Sequence, residues 1–192
     1  MKDLSDAELM ALIRGRDYSA FDELYNRYHK AIYNFLFSMT WDQDAAEDAV
    51  QEVFLRLYQA RERYEPTGKF STYLFQIAKN YYLTQRRTRK RRPDEVSIAH
   101  ETQGGLKPFE YIRASEKVEP EAHLIEEYRR WRVRRAIESL PEKQRMVFVM
   151  SHFEGMKYEE IAEVLGTPLG TVKSRMFTAV NTLKFLLQEE EL

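Results

Sequence analysis

Residues 158–187, YEEIAEVLGTPLGTVKSRMFTAVNTLKFLL, constrain this 192-residue chain more than any other stretch. Ile161, Ala162, Val164 and Leu165 recur at spacings that give 158–165 one apolar face, which predicts a short helix. Gly166 supplies the stop, because a residue without Cβ enters the left-handed region at little cost. Thr167 is expected to cap the next helix, and Pro168 to take its first position, where no amide hydrogen is needed. Val172, Met176, Ala179, Val180 and Leu183 then mark a second helix with a buried stripe. Two helices joined by a tight turn make a helix-turn-helix. Thr171, Lys173, Ser174 and Arg175 lie off the stripe near the start of the second helix, where a recognition helix offers donors to a DNA major groove. No acid occurs between Glu163 and Glu189, so nothing here repels a phosphate backbone. An ordinary helical hairpin with surface cations fits the same pattern, and the rest of the chain has to decide.

The chain has seven glycines and six prolines, few enough to favour long regular elements over many turns. It has no cysteine, which excludes a disulfide framework and any thiolate metal site. No apolar run is long enough to span a bilayer, and the start MKDLSDAE is no signal peptide, so a cytoplasmic protein without membrane insertion is expected. The formal net charge is only −1, so any affinity for a polyanion must come from how the charges are distributed.

Ser5-Asp6-Ala7-Glu8 reads as a capping box opening a helix that ends near Gly15. Ser19 with Asp22 is expected to start the next helix, whose stripe runs from Phe21 through Leu24, Ile32 and Leu36 to about Thr40. Asp42 or Asp44 begins a third, with Ala46, Ala49, Val50, Val53, Phe54 and Leu57 turned inward. Its outer face carries Asp48, Gln51, Glu52 and Leu55, and a leucine among solvent-facing carboxylates suits a partner-binding surface. Pro66 and Gly68 break the pattern, making 61–71 a loop. Phe70 and Phe75 are expected to form a hydrophobic staple around Ser71 as the cap of a fourth helix. Between Glu65 and Asp94 there are eight Lys or Arg and no acid, and six of those cations fall within 86–92. That exceeds what a helix dipole needs; with the neighbouring aromatics and amides it forms a footprint for melted or single-stranded nucleic acid. Residues 93–118 lack steady periodicity and read as a flexible linker. Pro120 opens a helix expected to turn Leu124, Ile125, Tyr128, Trp131, Val133, Ala136, Ile137 and Leu140 inward, and Pro141 starts another. The fold expected is all-α: two small helical domains, 1–92 and 119–192, joined by that linker.

Nothing in the chain supports catalysis. His29, His100, His123 and His152 are dispersed, no metal-ligand spacing or phosphate-cradling glycine loop occurs, and no cofactor, metal or small-molecule substrate is implied. Two non-catalytic readings each account for part of the chain. A dimeric helix-turn-helix regulator explains the C-terminus but leaves the acidic face idle. A general single-strand binder explains 86–92 but not the recognition helix.

Taken in order, DQDAAEDAVQEVFLRLY, FSTYLFQIAKNYYLTQRR and SLPEKQRMVFVMSHFEGMKYEEIAEVLGTPLGTVKSRM resemble the extracytoplasmic-function sigma factors of bacterial RNA polymerase. The resemblance implies that Asp48, Gln51, Glu52 and Leu55 grip the core polymerase. It implies that Arg63, Tyr64, Lys69, Phe70, Ser71, Tyr73, Asn80, Arg86 and Arg87 recognise and open the minus-ten element of promoter DNA. Thr171, Lys173, Ser174 and Arg175 would read the minus-thirty-five element. The linker would run through the polymerase cleft, and an anti-sigma factor would hold the protein inactive by wedging a helix between the two domains. Two departures stand out: Thr178 and Val180 occupy places where the family usually carries arginine, and Tyr73 replaces the usual tryptophan.

Overall fold

The computed structural model describes residues 1–91 and 120–188. Eight helices account for nearly all of them: α1 (Asp6–Arg14), α2 (Tyr18–Thr40), α3 (Gln43–Ala60) and α4 (Phe70–Arg91) form an N-terminal lobe. α5 (Pro120–Ser139), α6 (Glu142–His152), α7 (Tyr158–Leu165) and α8 (Leu169–Gln188) form a C-terminal one. The architecture is all-helical. The linker expected over 93–118 lies outside the described residues, as does the end of the chain from 189.

Local chemistry sets most helix ends where the sequence places them. Ser5 and Glu8 form the reciprocal capping box of α1, which keeps two first-turn amides from being orphaned. At α2 the cap is Asp17 rather than Ser19: its Oδ1 accepts from the Ser19 and Ala20 amides, at 2.9 and 3.3 Å. A carboxylate two residues upstream reaches the free N–H groups better than a hydroxyl already inside the turn. Asp42 caps α3 by accepting from the Ala45 amide at 3.0 Å.

Two further expected caps fail. The staple around Ser71 does not form, because α4 already begins at Phe70, and the Lys69 carbonyl accepts from the Tyr73 amide at 3.3 Å. Phe70 packs instead on Tyr28 and Tyr64, and Phe75 on Phe35, so two separate aromatic contacts fix the chain's entry into α4. Thr167 does not cap α8; its buried Oγ1 has no hydrogen-bond partner. Pro168 stands at the cap position, its carbonyl accepting from the Val172 amide at 3.2 Å. Gly166 behaves as expected, with φ 60° and ψ 42°.

In the N-terminal lobe, α2 is the central element, packing on α1, α3 and α4. In the C-terminal lobe, α8 has that place, packing on α5, α6 and α7. The inward faces of α3 and α6 match the sequence pattern closely: Ala46, Ala49, Val50, Val53, Phe54 and Leu57 are buried, and so are Met146, Val147, Val149 and Met150. α5 departs from its pattern. Ala136, Ile137 and Leu140 are buried, but Tyr128, Trp131 and Val133 are 56%, 47% and 39% exposed. The last turns of α5 lie on the lobe, Arg132 lies over the Tyr128 ring and donates to the Leu187 carbonyl at 2.7 Å, and the side chains of Leu124 and Ile125 lie outside the described residues. Tyr128 and Trp131 stack on each other instead, with centroids 6.0 Å apart.

The lobes touch through α2 with α6 and through α4 with α7. Arg134 of α5 lies over the rings of Phe37 and Trp41, 5.5 and 5.1 Å from their centroids. The buried residues form one contiguous cluster across both lobes.

Candidate nucleic-acid and polymerase interfaces

The outer face of α3 is exposed where the sequence places it. Asp48 and Gln51 are open to solvent, and Leu55 is 49% exposed. Glu52 is half-buried and accepts from Arg56 Nε at 2.8 Å, an i to i+4 pair that fixes its direction. A half-exposed apolar side chain thus shares this face with one oriented carboxylate, Glu52, and the exposed Asp48.

The loop before α4 and the helix itself form a second surface. Arg14 donates to the Tyr64 carbonyl at 2.8 Å and Tyr64 packs between Phe70 and Tyr73, so the loop is held shut from inside. Tyr64 and Phe70 are each only 5% exposed. Neither ring is therefore a free stacking platform. Both instead line a cavity of about 290 Å³, together with Asp6, Tyr28, Lys69 and Ser71. Burial raises the hydroxyl pKa of Tyr73 above the ordinary tyrosine value. Along α4, Asn80 and Arg87 are exposed, as is Arg63 on the loop. Lys69 and Arg86 are not free: each forms an ion pair with a carboxylate of the other lobe, Glu160 and Glu142 respectively. The structure thus brings the nine predicted residues onto one loop and helix, and divides them into buried supports, open donors and paired cations.

The third surface is the start of α8. Val172 is fully buried and anchors the helix. Lys173 and Ser174 are exposed, while Thr171 and Arg175 are half-buried. Ser174 and Thr178 turn their hydroxyls back onto the carbonyls of Thr171 and Ser174, at 3.0 Å each. Phe177, which the sequence reasoning passed over, is 71% exposed on the same face, one turn beyond Lys173. The apolar stripe contained the signal: Phe177 falls outside it, and a phenylalanine off the buried face of a helix has to meet something other than the core.

A helical lobe with a cationic helix, linked to a second lobe with a helix-turn-helix, defines a two-site DNA-binding architecture. Comparison with known proteins identifies it further. Residues 24–92 match the family model for sigma-70 region 2, and residues 130–183 match that for sigma-70 region 4. The chain is 32% identical over 184 residues to the RNA polymerase sigma-H factor of Pseudomonas aeruginosa, covering 95% of this chain and 94% of that one. It is 34% identical over 181 residues to the ECF RNA polymerase sigma-E factor of Escherichia coli K12, covering 92% and 91%. Two solved structures share the fold. CnrH, in complex with the cytosolic domain of CnrY, aligns with a TM-score of 0.69 at 23% identity, over 96% of this chain and 97% of that one. The sigma factor RpoE from Bartonella quintana, in complex with the anti-sigma factor NepR, aligns with a TM-score of 0.69 at 24% identity, over 88% and 96%. The chain belongs to the extracytoplasmic-function group of the sigma-70 family. It is a sigma factor of transcription initiation, not an enzyme.

Proposed function

We propose that this sigma factor binds core RNA polymerase through the α3 face, and reads and opens the minus-ten element with α4 and its preceding loop. The minus-thirty-five element is read from the major groove by α8. The observation that carries this reading is the presence of three separate exposed chemistries on one chain. Leu55 shares an exposed face with Asp48 and the oriented Glu52, an acid-free cationic helix follows an aromatic cavity, and a basic recognition-helix start lies on the other lobe.

Each surface has a physical role. Arg63, Asn80 and Arg87 hold phosphates and base edges, and a base drawn from the stack enters the cavity walled by Tyr64 and Phe70. Ser71 and Tyr73 border that entry. Lys173, Ser174, Thr171 and Arg175 supply donors to the major groove, and Phe177 adds an apolar surface suited to a thymine methyl. Either DNA-binding surface alone is weak. Tethering both to one polymerase raises their effective concentration, so two modest sites act as one specific site. An anti-sigma partner, as in the Bartonella complex, would cover these faces in the resting cell, and we place the protein in the cytoplasm, where its template and polymerase are.

The test is capture of bacterial core RNA polymerase on the purified protein, followed by transcription from genomic DNA fragments. Stoichiometric capture with starts at discrete sites is expected. Specific DNA binding by the protein alone as a dimer, without polymerase capture, would overturn the reading.

A further inference from the structure

α5 carries an arginine run that none of the three surfaces uses. Between Glu127 and Glu138 there are five arginines and no acid, in the segment YRRWRVRRAI. Arg134 is turned toward the other lobe, over Phe37 and Trp41. Two aromatic rings stand among the rest: Tyr128 and Trp131 are both largely exposed and stack with their planes 20° apart. Tyr128, Trp131, Arg132 and Arg135 fall at i, i+3, i+4 and i+7, so they share one face of the helix, about 10 Å long at 1.5 Å per residue. The Arg132 guanidinium lies 6.0 Å from the centroid of the Tyr128 ring, and its Nη2 donates to the Leu187 carbonyl at 2.7 Å, which ties the rings to the end of α8. Arg129 is exposed beside them. Arg130 and Arg135 pair with Glu126 and Glu138 along the helix surface, at 3.1 and 3.2 Å, and exposed pairs of this kind are weak enough to yield to a phosphate.

Rings and cations together select one kind of ligand. Arginines without intervening acid attract a polyanion, and an exposed ring stacks on a base only where that base is unpaired. A duplex hides its base faces and shows only edges and phosphates. Single-stranded RNA offers both parts, since its bases stack on aromatic rings and on guanidinium planes. Position then narrows the source. Thr171 and Leu187 lie about 24 Å apart along α8, so this face is at the far end of that helix from the residues that meet promoter duplex. The melted promoter strand is assigned to α4, on the other lobe. The remaining single strand of transcription initiation is the transcript.

We infer that Tyr128 and Trp131, with Arg129, Arg132 and Arg135, form a binding face for single-stranded RNA, and that its ligand is the transcript leaving the polymerase. The choice of the transcript over a promoter strand rests on the assignment of that strand to α4; the chemistry of the face does not. The C-terminal lobe thereby holds RNA with one helix and promoter DNA with another.

Two experiments test this. The first is equilibrium binding of a fluorescent, mixed-sequence RNA of twelve nucleotides to the full chain carrying Arg86→Ala and Arg87→Ala, which removes much of the contribution of α4. Added to that chain, Tyr128→Ala with Trp131→Ala is expected to weaken binding about tenfold, because each ring stacks on a base, while Tyr128→Phe with Trp131→Phe keeps the affinity within about twofold. Unchanged affinity in the alanine pair, or equal loss in both pairs, would overturn the inference. The second uses holoenzyme assembled from core polymerase and the chain with photoreactive p-benzoylphenylalanine in place of Trp131, transcribing with radiolabelled nucleotides. Crosslinks to the labelled transcript are expected from position 131 and not from the same group in place of Tyr18, which is 68% exposed on the other lobe. Crosslinks from position 131 to promoter DNA alone would give the face to a DNA strand, and crosslinks to a polymerase subunit alone would make it a protein contact; either overturns the inference. The α4 reading fails separately: normal promoter opening by Arg86→Ala with Arg87→Ala would remove it, whatever position 131 touches.

Discussion

Glu154 sits in the turn after α6, pressed against α2, with the Asn34 side chain hydrogen-bonded to it and Lys30 nearby. Its Oε1 has no hydrogen-bond partner. Burial pushes its pKa from the ordinary 4.5 up to about 7, and the Asn34 and Lys30 contacts only partly oppose this. The sign follows from linkage. Below pH 4.5 the group is protonated in both states; from there to about 7 the unfolded chain ionises while the folded one keeps its proton, so stability falls as pH rises. Above that window the full penalty applies, on the order of 3 kcal/mol at 1.36 kcal/mol per pKa unit. Glu154→Gln should therefore stabilise the protein at pH 8 by a sizeable part of that amount and have little effect at pH 5, as measured by urea unfolding at the two pH values. Equal effects at both would show that the carboxylate is not held protonated. Gly166 makes a second residue-scale prediction. At φ 60° a Cβ is strained even with open space around it, so Gly166→Ala should cost about 1 kcal/mol and lower the melting temperature by a few degrees.

Among the elements, α3 and α8 divide their faces in the same way: the inward stripe supports the lobe and the outward one is free for a partner. Leu55 contributes nothing to the core, so Leu55→Ala with Glu52→Ala should leave the circular dichroism and unfolding midpoint nearly unchanged while abolishing capture of core polymerase. Unchanged holoenzyme formation would reduce the face to ordinary solvated surface. α4 is the exception, since its outward side is itself shared between solvent and the other lobe. Its periodicity shows that Leu74 and Ala78 are buried, and they are, but cannot show that Lys79 and Arg86 meet carbonyl and carboxylate groups of α7 and α6. The Lys79 and Val164 contact joins residues 85 apart, and no helical repeat encodes a distance of that kind.

For the molecule as a whole, the question is what holds two lobes together when the chain between them lies beyond the described residues. Besides the α4 contacts, Arg145 Nη1 reaches the Ser38 carbonyl at 3.5 Å, and Arg134 covers Phe37 and Trp41. Arg134→Ala should remove about 1 kcal/mol of cation–π attraction and lower the energy transfer between dyes on the two lobes without reducing helical content. An unchanged distance between those dyes would assign the closed arrangement to the remaining contacts, those of α4 and of Arg145 with Ser38. The amino-acid sequence by itself determined the eight helices, some of their caps and the acid-free stretch of residues 66–92, because these rest on periodicity, capping chemistry and glycine's conformational freedom, all read within a few residues. Tertiary structure alone decided that Tyr64 and Phe70 are walls of a cavity rather than open rings, and that Tyr128 and Trp131 are left exposed. It also decided which cations of α4 and its preceding loop are exposed and which are already paired. Those outcomes depend on which face of one helix another comes to cover, and that is fixed by the packing of distant segments, not by the pattern within any one of them.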